Sequence, residues 1–381
     1  MTDTPATGRA RPVLRTLFVV AQSELSPGSR YRVYQYLPHL RDAGIDGHVV
    51  AMQDHDSTER SVKSPLFHPL HRVAHYAFTW IESFIVQLRL VALVPRFDRI
   101  VLYRLPLWAV TRWMLTPRRG RIITDFDDAL DAIDHSAEER LGGLKRWILW
   151  RGLQNAILAS TTTITSNAHN CGVVQRLSRR AAIIPTSIDM ARLPFRDRSA
   201  TVEDRLVVGW MGTPSTARYL TEIEDALREV ARTRPIVVRL IGAGRNPFRT
   251  LDAEVIDWSF AGEPDALTRI DIGLMPMPDT AWTRGKAATK ALQYNASGAP
   301  AVSSRTATNL AILGESAGSL FASTTDEWVA ALLRLIDDPA LRAEIGRRGH
   351  ARVRESFSVE SNAPRLAELI RDPAGASAGR D

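Results

Sequence analysis

Residues 277–302 read MPDTAWTRGKAATKALQYNASGAPAV, and the fold turns on them. The stretch opens on a Pro278-Asp279 turn, passes a small basic step at Gly285-Lys286, and continues as a helix that stops at Gly298-Ala299-Pro300. Apolar residues then resume as a strand, and another strand is expected just upstream over 270–275. A helix start that carries glycine and lysine suits an anion, because its first N–H groups lack intrahelical partners and its dipole is positive there. A strand, a loop, a helix and a strand in this order make the arrangement in which open α/β sheets bind nucleotides.

The same alternation extends in both directions. Upstream, strands are expected over 14–20, 48–52, 99–103, 121–124, 161–165 and 182–185, with a polar Gly/Pro loop at 23–30 and a helix at 31–43. A polar run, DRSATVEDR at 197–205, carries no apolar pattern and reads as a linker. The pattern then restarts: strands over 206–210, 236–241, 254–258 and 271–275, helices over 218–233, 325–337 and 339–356. A last helix follows at 359–371. With 381 residues the chain exceeds the usual size of one core, so two domains are expected. The sequence divides into a disordered start (1–12), a first Rossmann-like domain (13–196), the linker (197–205) and a second Rossmann-like domain (206–356). A helix that crosses back to the first domain (357–372) and a disordered tail (373–381) complete the division.

Composition limits the functions open to the chain. At 45% hydrophobic and 24% charged residues it is globular in character. One cysteine, Cys171, excludes an internal disulfide and any cysteine metal cluster, and it fits a cytoplasmic setting. His68, His71 and His75 have no carboxylate or thiol at metal-ligand spacing, so no metal is expected. The apolar run at 14–21 is too short for a signal peptide and reads as a buried strand. The net charge of +7 is uneven: residues 1–200 hold 27 Lys/Arg against 18 Asp/Glu, and the remainder 22 against 24. A basic first half suits an anionic acceptor or the headgroups of an inner-membrane surface. No nucleic-acid motif and no basic cluster interleaved with aromatics is read, so nucleic acid is not an expected partner. Between 67 and 94 the apolar residues fall at helical spacing, which suits a long helix packed on the sheet or a membrane-surface contact.

Several further segments, taken together, carry a resemblance. They are GSRYRVYQYLPHLRDAGID (28–46), TTTITSNAH (161–169), IIPTSID (183–189), GWMGTPSTARYL (209–220), LIGAGR (240–245) and DIGLMPMPDTAW (271–282). Followed by GKAATKALQYNASGAPAV (285–302), the set resembles the GT-B glycosyltransferases, specifically the large retaining family 4 (group 1), over nearly the whole chain and in the expected order. The resemblance implies two Rossmann-like βαβ domains facing each other across a cleft, and the basic first domain suggests a cytoplasmic enzyme, peripheral on the inner membrane face, of polysaccharide or glycolipid assembly. The resemblance also implies transfer of a sugar, with retained configuration, from a nucleotide-sugar donor to a glycan, glycolipid or lipid-linked acceptor. No cofactor or metal is implied, so cations and helix N-termini must neutralise the leaving diphosphate.

On this reading the donor is bound by Gly212, Thr213, Arg218, Trp258, Lys286, Lys290 and Gln293. Lys286 opens a helix and Lys290 lies one turn later on the same face. Asp125, Asp127 and Asp128, in IITDFDDALDAID (122–134), lie just past a strand end and are the candidate catalytic residues. Three carboxylates this close cannot all ionise freely without a basic partner, for which Arg30, Arg32 and Arg104 are candidates. Helix capping is the structural alternative for the aspartates. Ser29, Arg30 and Arg32 form a candidate acceptor or phosphate loop. One departure stands out: family 4 members usually carry two glutamates eight positions apart, where this chain has Gly285 and Gln293. That leaves a non-catalytic nucleotide-sugar-binding protein as an alternative. DFDDAL also resembles the nucleophile loop of haloacid-dehalogenase-type phosphatases, although Ala129 replaces its hydroxyl or β-branched residue.

Overall fold

The computed structural model describes residues 12–52, 84–129, 142–177, 179–200, 204–315 and 317–375. Continuous apolar runs such as LRTLFVV and IVVRLI form strands buried on both faces, as parallel sheets require. The first sheet contains β1 (Leu14–Val20), β2 (Ile45–Ala51), β3 (Arg99–Tyr103), β4 (Ile122–Phe126), β5 (Thr162–Thr165) and β6 (Ala181–Ile183). The second contains β7 (Leu206–Met211), β8 (Ile236–Ile241), β9 (Glu254–Ile256), β10 (Ile272–Met275), β11 (Ala301–Ser304) and β12 (Ser319–Ala322). The strand orders are β2-β1-β3-β4-β5-β6 and β12-β11-β10-β7-β8-β9, and every pairing is parallel.

Each order reverses once, between β1 and β3 in the first sheet and between β7 and β10 in the second. Connections on either side of such a point run to opposite faces, so the strand ends there leave a crevice. The crevices of the two sheets supply the two walls of one cleft. The architecture is two doubly wound α/β domains, the GT-B fold.

Local departures from the sequence reading have local causes. The segment expected as one helix over 31–43 is three pieces: Pro27–Arg32, a 3₁₀ turn at Tyr34–Tyr36, and Leu37–Asp42. Pro38 lies in the first turn of the last piece, where its missing N–H costs no helical bond. Strand β12 was not anticipated, because four residues with a half-buried centre give no clear pattern. Of the 67–94 segment, residues 84–93 are helical, and residues 67–83 lie outside the described part of the chain.

After β6 the chain reaches the second domain through Arg196 and Arg198, which are held rather than loose. Buried Arg198 donates to the carbonyls of Ile270 (2.9 Å) and Ser297 (2.8 Å), and Arg196 pairs with Asp271 at 2.5 Å. The last helix, Val359–Arg371, is capped by Ser358 and packs on the first sheet, with Ala363, Leu366 and Ile370 buried beside Phe18, Tyr36 and Leu40. Arg99 at the start of β3 donates to its terminal carbonyls at Ile370 (2.8 Å) and Arg371 (2.6 Å).

Candidate functional site

A cleft of about 780 Å³ separates the two walls. Gly28, Arg30, Tyr31, Arg104, Asp127 and Asp128 line it from the first domain. Gly212, Thr213, Trp258, Lys286, Lys290 and Gln293 line it from the second.

The three aspartates divide sharply. Asp125 is the fourth residue of a fully buried strand, 2% exposed, and does not reach the cleft. Arg32 holds it through contacts of 2.7 and 3.2 Å and also donates to the Ile184 carbonyl at 2.6 Å. Burial pushes the Asp125 carboxyl up, to about 6, against the pull of Arg32. Asp125 and Arg32 therefore join the first-domain core, which corrects their expected roles at the reacting sugar and the acceptor. Ser29 is likewise buried, away from the cleft lining.

Asp127 and Asp128 do face the cleft. Tyr103 donates its hydroxyl to Asp127 Oδ1 at 2.8 Å, and Arg104 Nη2 meets Asp128 Oδ2 at 2.8 Å. Arg104 adopts a left-handed backbone (φ 49°) at the end of β3, a conformation a branched or long side chain rarely takes outside functional sites. Across the cleft, Lys286 Nζ donates to Asp128 Oδ1 at 2.6 Å. Burial opposes ionisation of Asp128, yet Lys286 and Arg104 together hold its carboxyl down, to about 2.

On the second-domain wall, Lys286 precedes the helix instead of opening it. The helix is Thr289–Ala296, entered through Ala288 in a left-handed conformation (φ 48°) and without a side-chain cap. Lys286 and Lys290 thus flank the helix start rather than stack along one face. Lys290 Nζ lies 5.5 Å from the centre of the Trp210 ring and makes no ion pair among the described residues. Burial, then the neighbouring Lys286 charge, lower its pKa to about 8. A Cβ on Gly212 would lie 2.5 Å from the buried Trp210 ring and 2.7 Å from Lys290 Cε, so glycine is what lets the β7 loop pass this ring. Thr213 begins the short helix Pro214–Ala217. Arg218 is not among the cleft-lining side chains: its guanidinium donates to the Tyr219 hydroxyl at 3.2 Å.

Gly285 has a physical reason to be glycine. A Cβ there would lie 2.3 Å from Ala129 Cβ and 2.5 Å from its backbone nitrogen, in the other domain. The Asn170 and Asn167 side-chain amides donate to the Gly285 and Lys286 carbonyls at 3.0 and 2.9 Å, which holds this loop against the first domain. A glutamate at 285 has no space in this apposition. Gly285→Glu is expected to destabilise the protein by about 1–3 kcal/mol, the range for overpacking, and to leave donor affinity no better. Thermal unfolding and donor titration check both parts.

Gln293 occupies the second glutamate position and donates Nε2 to the Tyr31 hydroxyl at 2.6 Å. Tyr31 is itself packed into the second-domain core, so this bond is an interdomain pin. Beside it, Arg30 sits among the rings of Tyr31, Trp258 and Phe260, at 5.0, 5.6 and 5.2 Å from their centres. Glu263 Oε2 accepts from both Arg30 Nη2 and Trp258 Nε1 at 2.8 Å. Trp258 thereby lines the cleft with its ring held from two sides.

Sequence reading missed Tyr31, Tyr103 and Glu263. Glu263 follows a glycine and precedes a proline at a helix start, where an acidic residue reads as favourable dipole chemistry. Its partner Arg30 lies 233 positions away, so no local pattern reveals it. Among the described residues no group of three or more His, Cys, Asp or Glu is placed to hold a metal ion. The phosphatase alternative gains no support: the first aspartate of its loop is buried under Arg32 and the last is held by two cations.

The fold and this site define a GT-B protein, and residues 222–368 match the family model described as glycosyl transferase-like. No curated protein matches the chain. Among solved structures, sucrose-phosphate synthase from Thermosynechococcus elongatus superposes with a TM-score of 0.65 at 14% identity, over 95% of this chain and 100% of that one. HepE of Anabaena in complex with UDP-glucose gives 0.62 at 14% identity, over 94% and 99%. An alpha-glucosyltransferase in complex with UDP and a 13-mer DNA containing a HMU base gives 0.64 at 11%, over 94% and 99%. At these identities the likeness establishes the GT-B fold.

Proposed function

We propose that the protein is a glycosyltransferase that takes a sugar from a nucleotide-sugar donor, of the UDP-sugar class, and passes it to an acceptor with retention of configuration. The acceptor on this reading is a glycan, glycolipid or lipid-linked intermediate of polysaccharide assembly. The observation that carries the proposal is the convergence on one cleft of Lys290, the uncapped start of helix Thr289–Ala296 and the Gly212 loop, facing Asp127 and Arg104.

A departing nucleoside diphosphate gains negative charge as the glycosidic bond breaks. Lys290 and the N–H groups of the helix start are fixed before the reaction, so they stabilise that charge with little reorganisation. Lys286 lines the same cleft and, with three N–H donors, can add to this while keeping its bond to Asp128. Trp258 offers a ring face to the nucleobase, and Asp127, oriented by Tyr103, is placed to contact a sugar hydroxyl. The likeness to folds solved with UDP and UDP-glucose supports the choice of donor class.

Incubation with a panel of nucleotide sugars should release nucleoside diphosphate from at least one, slowly even with water as acceptor. A panel that binds and never turns over removes the transferase reading and leaves a binding protein. Asp127→Asn, which preserves shape and the Tyr103 contact, removes the charge from the hydroxyl contact and is expected to cut turnover by about 10- to 100-fold, as roughly 1.5–3 kcal/mol for a charge-assisted hydrogen bond implies, while donor affinity falls less. Parallel titration and turnover assays separate the two effects.

A further inference from the structure

One face of the first domain is built unlike the rest of the surface. Three helical elements pack there: residues 84–93, Ala109–Leu115 with its 3₁₀ extension Thr116–Arg121, and Gly142–Ala159. Phe84 stacks on Trp108 at 5.4 Å, the Trp108 N–H donates to Gln87 at 2.8 Å, and Asn155 donates to the Leu107 carbonyl at 2.9 Å. These contacts join the 84–93 helix to the segment that opens Ala109–Leu115, and that segment to Gly142–Ala159.

Seven of the eleven large apolar side chains exposed among the described residues lie on this face: Phe84, Ile85, Leu88, Val110, Trp113, Met114 and Trp147. Val110, Trp113 and Met114 share one helix face while Thr111 and Leu115 bury the other. Trp113 is 74% exposed and Trp147 58%. Contiguous exposed apolar surface of this kind marks a contact.

The charge around it identifies the partner. Arg89, Arg96, Arg118, Arg121 and Arg151 are exposed on these segments, and Asp98 is the one acid among residues 84–121 and 147–160. Arg118 and Arg121 are exposed at the rim, together with Pro95 and Pro117. Tryptophans, aliphatic side chains and methionine ringed by arginines match the interface of an anionic bilayer. The apolar groups enter the headgroup boundary and the guanidinium groups meet lipid phosphates. Aliphatic and methionine side chains have no stacking partner in a nucleic acid, which favours lipid. No helix among the described residues is long and apolar enough to cross a membrane.

We infer that the protein docks on anionic lipid surfaces through this Trp113–Trp147 face. Strand β3 runs from the sheet to Arg104 on the cleft and directly on into Trp108, so one end of the docked face lies near the first-domain wall of the cleft. Docking would then present the cleft to a lipid-linked acceptor, a consequence that rests on the glycosyltransferase reading.

Sedimentation of the full chain with vesicles tests the surface by itself. Binding is expected to phosphatidylcholine vesicles containing phosphatidylglycerol, to fall at high salt, and to be nearly absent with phosphatidylcholine alone. The double variants Trp113→Ser/Trp147→Ser and Arg118→Glu/Arg121→Glu should each weaken the partition by about tenfold or more, with unchanged melting temperature and unchanged release of nucleoside diphosphate from soluble donor. Equal binding to both vesicle types, or retained binding in both variants, overturns the inference. So does absence of vesicle binding with dimerisation or single-stranded DNA binding that the tryptophan variant abolishes. Loss of donor turnover in every form, with vesicle binding intact, overturns the transferase reading and leaves the docking surface standing.

Discussion

Lys290→Met is expected to weaken UDP binding by about 100-fold at neutral pH, since a charge-assisted contact is worth roughly 1.5–3 kcal/mol and tenfold corresponds to 1.4 kcal/mol. Methionine keeps the apolar stem that packs beside Gly212 and Trp210, so the fold should survive. The pH dependence supplies a sharper signature. Burial and the Lys286 charge lower the Lys290 pKa to about 8, from 10.5. A bound diphosphate favours the charged form and raises that value again, so binding above about pH 8 takes up a proton. Affinity should therefore fall as pH rises from about 8 towards 10.5, by at most about tenfold per pH unit. In Lys290→Met this part of the slope disappears. Calorimetric titration of UDP at several pH values in buffers of different ionisation heat reads both quantities. An unchanged affinity and slope would move the diphosphate away from this lysine.

The second large effect is on stability. Arg32→Met leaves Asp125 buried without its partner and should cost about 3–5 kcal/mol, the range for breaking a buried ion pair from one side. The loss should depend on pH in a definite direction. Asp125 in the folded protein holds its proton more tightly than in the unfolded chain, where its ordinary value is 3.8. Without Arg32 the upward push of burial is unopposed. The variant's carboxyl then takes up its proton above pH 6, so the deficit is largest at alkaline pH, shrinks as pH falls towards about 6 and levels off below it, because a protonated carboxyl carries no charge to desolvate. Arg32→Met/Asp125→Leu should recover most of the loss, short of the bond to the Ile184 carbonyl. Urea unfolding across the pH range measures each term. Normal stability with lost turnover would instead return both residues to the reaction.

These two expectations show how unevenly the site was legible. Gly212, Thr213, Trp258, Lys286, Lys290 and Gln293 all line the cleft, and all but Gln293, which lies one turn into its helix, sit in a loop or helix start following a strand. Position after a strand is local information, and the topology then brings such positions to one edge. Asp125, Asp127 and Asp128 share the same local context, yet one is in the core and two are in the cleft. Strand alternation and the depth of β4 decide that difference, and a run of carboxylates does not encode it. Arg218 reads as a phosphate ligand by its place in a helix start, but its guanidinium turns to Tyr219.

The order of buried apolar runs and helical stretches by itself determines that this chain makes two parallel, doubly wound sheets. Hydrophobic periodicity acts over a few residues and is printed directly in sequence. The run at 277–302 also carries its helix, its cations and its glycine in plain view. What that glycine and those cations do is decided only in three dimensions. Lys286 meets Asp128 across 158 positions, Gln293 meets Tyr31 across 262, and Gly285 is held small by Ala129. These are contacts between domains, set by how two finished sheets pack, and close packing and charge pairing there answer to distance in space rather than along the chain.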